Sequence, residues 1–120
     1  ARPEFKRQLK ALHAIPVGGS RADAAFGHGT HVAGIVAGSG WSSTGTKYTV
    51  QFRGAAPRAH ILSLKVLNAQ GVGTDSSVIE ALDHAIALKN VYNVRVINLS
   101  LGRPVRESWR LDPLCQAVER

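Results

Sequence analysis

The chain has 120 residues, 44% of them apolar and 19% charged, with a formal charge of +7. That is one domain's length, and a chain of this size buries roughly two thirds of its unfolded surface, so wholesale disorder is excluded. The longest uncharged run of small and apolar residues, 32–38, falls far short of the about 20 residues that cross a bilayer, and the single cysteine, Cys115, excludes an internal disulfide.

Fifteen basic residues face eight acidic ones. Only the first ten residues concentrate them, as Arg2, Lys6, Arg7 and Lys10 against Glu4. The rest are scattered, with no aromatic residues interleaved to stack bases, so the charge reads as a solvated surface and not as a nucleic-acid interface.

Phe5, Leu9 and Leu12 recur at helical spacing and predict a short basic amphipathic helix over 4–13. The string Ile15-Pro16-Val17-Gly18-Gly19-Ser20 ends it. Next comes Gly27-His28-Gly29-Thr30-His31-Val32-Ala33-Gly34-Ile35-Val36-Ala37-Gly38, built almost wholly from small residues. Each glycine disfavours a helix by about 1 kcal/mol. A helix here therefore implies deep burial, with the backbone approaching its neighbours along Ala33, Gly34, Ala37 and Gly38.

Residues 39–54 form a polar loop with a short hairpin arm, and Ala55-Ala56-Pro57 leads into a strand over 60–67. Gly71, Val72 and Gly73 make a turn. Ser77 and Glu80 match a capping box. After it, Val78, Ile79, Leu82, Ala85 and Ile86 give a helix one apolar face. A second strand is predicted over 94–99. Strand, helix and strand make a βαβ unit, whose strands lie parallel and whose ligands sit beyond the strands' carboxyl ends. That rule selects the loops Gly71-Val72-Gly73 and Ser100-Leu101-Gly102-Arg103-Pro104.

At the end, Asp112 suits an N-cap and Pro113 the first helical position. The helix they open stops after two turns without a terminating signal, and the chain contains no methionine. These ends read as those of a piece of a longer protein. Cys115 reads as a small core side chain, and Trp41 and Trp109 as surface-loop anchors.

His28, flanked by Gly27 and Gly29, has no bulky neighbour to shield it, which suits a general base titrating near neutrality. A histidine that caps a helix or fills a gap is the plainer alternative. The string from Gly27 to Gly34 resembles the active-site histidine motif of the subtilisin-like serine proteases. Leu64-Lys65-Val66-Leu67 with Gly71-Val72-Gly73 is similar to that family's substrate-flanking strand and loop. Val96-Ile97-Asn98-Leu99-Ser100-Leu101-Gly102 resembles the strand and loop on the other side of its cleft, and Gly54-Ala55-Ala56-Pro57 also fits.

The resemblance runs from about Gly27 to Arg120, so residues 1–22 stand outside it and 23–120 form the central part of a peptidase domain. It implies an α/β fold, a three-layer sandwich with a mostly parallel sheet and helices on both faces. It further implies a serine endopeptidase in which His28 is the general base of a Ser-His-Asp triad. Gly71, Val72, Gly73, Ser100, Leu101 and Gly102 would hold an extended peptide or protein substrate through backbone hydrogen bonds. His31 is not a triad member and should pack or hydrogen-bond locally.

The family's Asp-Ser/Thr-Gly string is absent, and Asp23 lies too close to His28 to replace it. The Gly-Thr-Ser-x-Ala string of the nucleophile is absent as well. The segment alone should therefore be inactive. A catalytically dead relative that binds peptides or partners is the alternative. No cofactor is needed for catalysis. A structural calcium fits the family, but residues 39–54 carry no carboxylate to hold it. His28 and His31 lack the third ligand and the glutamate of a zinc peptidase. Gly27-His28-Gly29 also lacks the third glycine, and the preceding strand, of a dinucleotide fingerprint. A secreted parent follows from the resemblance, while the charge pattern and the short apolar runs argue for no nucleic-acid and no membrane partner.

Overall fold

The computed structural model describes residues 27–120 and the backbone of one earlier strand, β1 (Leu12–Pro16). In chain order there follow α1 (His28–Ala37), a 3-10 turn (Trp41–Ser43), β2 (Ile61–Lys65), α2 (Asp75–Ala87), α3 (Lys89–Tyr92) and α4 (Pro113–Glu119). β1 pairs with β2 in a two-stranded sheet. The amphipathic helix predicted over 4–13 lies outside the described residues, except that Leu12 and His13 belong to β1. Pairing with β2 outweighs a periodicity that rested on three apolar residues. The described chain mixes helices and strands, but two paired strands are fewer than a three-layer sandwich needs. No described helix is long and apolar enough to cross a membrane.

From residue 27 on, the described residues fall into two compact units, 27–63 in one and 64–120 in the other. In the first, Gly27 caps the start of α1 and Gly38 its end. The helix forms where the small-residue run predicts it, yet it is not deeply buried. Within it only Ala37 is buried, and Ile35 is 60% exposed. Among the described residues the close approach occurs at the helix's C-terminal end. There Gly54, Ala55 and Ala56 donate their N–H groups to the carbonyls of Gly38, Ile35 and Val36 at 2.8, 2.9 and 2.7 Å. These are carbonyls that a helix end leaves unpaired. Gly54 must be glycine for this contact, because a Cβ there would lie 2.6 Å from the Gly38 nitrogen.

The loop between them forms no hairpin. Its hydroxyls bond to the backbone instead, which competes with a strand ladder. Ser43 and Thr44 donate to the Gly40 carbonyl at 3.1 and 2.8 Å, and Ser43 Oγ accepts from Phe52 N at 2.8 Å.

In the second unit, the turn after β2 is organised by Asn68, whose Oδ1 accepts from Gln70 N and Val72 N, each at 3.0 Å. α2 then opens at Thr74, whose side chain accepts from Ser77 N at 3.2 Å. The cap is thus Thr74 and not Ser77, which sits inside the first turn. Val78, Ala81, Leu82 and Ala85 form the buried face of α2. Val78 and Leu82 meet Ala117 of α4, with Val66, Ile79 and Leu114 packed around them. α4 is capped as predicted, Asp112 accepting from Leu114 N at 2.9 Å with Pro113 in the first turn.

The strand predicted over 94–99 does not form, so the βαβ unit is not closed. A strand exists through its ladder, and no described strand pairs with this segment. Its apolar side chains face solvent instead, with Val96 84% exposed.

Candidate active site

His28 is the first residue of α1, held there by a backbone turn rather than by a side-chain cap. Gly27, with φ of 77°, is the N-cap residue, and its carbonyl accepts from His31 N at 3.0 Å. His28 is exposed, and the space around the Gly29 Cα is open, with no heavy atom within 4 Å of where a Cβ would stand. An imidazole so placed is accessible to an incoming group. His31, one turn on, is also exposed rather than packed. Among the described residues no group of three or more His, Cys, Asp or Glu could hold a metal ion.

The six residues expected to bind peptide lie in the second unit, whereas His28 lies in the first. Gly71, Val72 and Gly73 are exposed in the Asn68 turn. There Gly71 N donates to the Asn68 carbonyl at 3.0 Å, and Val72 O accepts from Asn68 N at 2.9 Å. Gly73 lies against the end of β2, since a Cβ on it would stand 2.5 Å from the Val66 carbonyl oxygen. Ser100, Leu101 and Gly102 are exposed within a segment free of helix and strand. Ser100 Oγ accepts from Asn98 Nδ2 at 2.8 Å, and Gly102 has open space where a side chain would project.

Arg103, within the second of the two loops that the strand-end rule selects, has a role that its sequence position does not reveal. Arg103 Nε stands 2.8 Å from Asp75 Oδ2, while its Nη2 donates to Asp112 Oδ2 at 2.8 Å. Its Nη1 donates to the Pro104 carbonyl at 3.2 Å. The Asp75 contact is an ion pair without hydrogen-bond alignment, which leaves it the looser of the two carboxylate arms. Asp75 is two residues beyond Gly73, and Arg103 directly follows Gly102, so the pair brings the ends of both loops together. The legible signal was an arginine after a loop glycine, but neither carboxylate partner is near it in sequence.

Against known proteins, the family model described as "Subtilase family" matches residues 12–120, starting upstream of residue 23. The serine protease AprX of Bacillus subtilis (strain 168) is 41% identical over 102 residues, which cover 78% of this chain and 21% of that protein. Subtilisin-like protease 9 of Arthroderma otae is 36% identical over 98 residues, 78% of this chain and 21% of its own length. A protein named "Intracellular serine protease" from Paenibacillus polymyxa is 41% identical over 78 residues, 65% of this chain and 21% of its own. The chain thus spans about a fifth of the length of these relatives. With a family match that runs from β1 through the histidine helix and both glycine loops to the last residue, this chain belongs to the subtilase family.

Proposed function

We propose that the parent protein is a serine endopeptidase and that this chain contributes its general base, His28, together with two peptide-binding loops. The observation that carries this reading is the family match across the Gly-His-Gly-Thr-His string, with His28 exposed at the start of α1. In the proposed reaction, the His28 imidazole takes the proton of a serine hydroxyl as that oxygen bonds to a substrate carbonyl carbon. The resulting tetrahedral oxyanion collapses, the C–N bond breaks, and His28 returns the proton to the leaving amine. Water then repeats the sequence on the acyl-enzyme and regenerates the serine. The triad aspartate and serine come from outside these 120 residues. Gly71, Val72, Gly73, Ser100, Leu101 and Gly102 hold the substrate as an extended strand by main-chain hydrogen bonds.

His28→Ala in the full-length protein tests this. Removing the general base of such a triad costs on the order of 10⁴- to 10⁶-fold in kcat. The variant should keep its circular dichroism spectrum and melting temperature, because an exposed first-turn side chain carries little packing. Peptide hydrolysis that survives the substitution would refute the assignment.

A further inference from the structure

Arg103 holds two carboxylates at once, and their positions matter more than their number. Asp112 is fixed, since it is buried and its other oxygen caps α4. Arg103 is anchored to it by Nη2 and reaches forward with Nε to Asp75, at the root of the other loop. We propose that Arg103 is a positioning residue that clasps the loops Gly71-Val72-Gly73 and Ser100-Leu101-Gly102 at the spacing an extended peptide needs. This rests on the proposed role of those loops in binding substrate.

The physical requirement is one of separation. A peptide strand inserted between two backbones needs each of them about 4.8 Å away in the hydrogen-bonding direction. Loops that drift apart can satisfy one side of the peptide but not both. A guanidinium suits the task because it is planar and presents separate N–H groups along two edges, whereas a lysine is a single point charge. The arrangement is poorly suited to stability alone. The Asp75 side chain is 48% exposed, and ion pairs so exposed contribute little to folding. Its effect falls instead on the distance between loops.

The test uses the full-length protein carrying His28→Ala, so that peptide is bound but not cleaved, with a fluorescein-labelled hexapeptide followed by anisotropy. Asp75→Asn and Arg103→Lys should each raise Kd by about 2- to 5-fold, the worth of one partly exposed ion pair. The double variant should bind no worse than the weaker single one, because both break the same clasp. Asp75→Asn should lower the melting temperature by no more than about 2–4 °C, the worth of one exposed first-turn charge. In the protein that retains His28, the two substitutions should raise KM for the hexapeptide while kcat, and turnover of a small ester that reaches neither loop, stay constant.

An unchanged Kd in Asp75→Asn, with the parent binding peptide normally, overturns the clasp and leaves the proteolytic reading standing. A parent that binds no peptide overturns both. Arg103→Lys tests the fork geometry, and Asp75→Asn keeps the test decisive should that variant fold poorly.

Discussion

Gly54 occupies a place where a single methyl group has nowhere to go. A Cβ on it would meet three backbone atoms at the end of α1, at 2.6, 2.7 and 2.8 Å. Backbone cannot swing aside as a flexible side chain can. Gly54→Ala must therefore part the segment from the helix and strain the three N–H bonds that satisfy its last carbonyls. The expected loss is about 1–3 kcal/mol, the usual range for overpacking. Gly102→Ala is the control, with open space at its Cβ and a stability change within about 0.5 kcal/mol. Urea titrations of the two full-length variants check the pair, and equal midpoints would show that the close approach is not maintained. The string Gly54-Ala55-Ala56-Pro57 is readable as a motif, but its work as a clamp on α1 is not. The contact joins segments separated by a long loop, and sequence pattern reports only local neighbours. His28 differs because its place at a helix start depends on adjacent residues alone. Arg103 shares the obscurity of Gly54, for its two carboxylates come from other segments.

At the scale of elements, local pattern misplaces boundaries more than it misplaces elements. Ser77 and Glu80 satisfy the capping-box spacing, yet Thr74 is the residue with extended backbone, φ −118° and ψ 154°, and its hydroxyl takes the Ser77 N–H. The cap is set by where the Asn68 turn releases the chain, and Asp75 then places a carboxylate in the first turn, where the helix dipole favours it. Thr74→Ala should cost about 1 kcal/mol, as loss of a cap does. Ser77→Ala, which removes a half-buried hydroxyl 2.9 Å from Thr74 Oγ1 but leaves the Ser77 N–H on the cap, should cost less, about 0.5 kcal/mol. A larger loss for Ser77→Ala in thermal denaturation would return the cap to the position that spacing suggests. The apolar face of α2 was legible at Val78, Leu82 and Ala85, because 3.6-residue periodicity is a property of the helix itself. It is turned towards Ala81, leaving Ile86 45% exposed, since α4 decides which stripe is covered. Residues 94–99 show the limit of such reading, because β-branched alternation describes a segment ready to pair but does not supply its partner.

For the described residues taken together, what matters is how little apolar surface they cover. The described core of the second unit joins only Val78, Leu82 and Ala117, with Val66, Ile79 and Leu114 partly buried around it. Among the described residues, no large side chain is fully buried. Val96, Ile97, Leu99, Leu101, Val105, Trp109 and Leu111 are all exposed between α3 and α4. So many exposed apolar side chains in one segment leave the burial that would hold it in place unmade, and a two-stranded sheet is marginal by itself in water. Expressed alone, these 120 residues should therefore behave as a loosely packed state. The expected signs are far-UV helix signal without near-UV side-chain signal, strong binding of the dye ANS, and a broad thermal transition. On the proposed reading the chain supplies one triad member of three, so the same preparation should hydrolyse no peptide. A sharp two-state transition without ANS binding would mean that α1, α2 and α4 cover far more apolar surface in solution than these contacts do. Hydrolysis that follows the 120-residue chain through purification and is abolished by His28→Ala would mean that the triad aspartate and serine are not required from elsewhere.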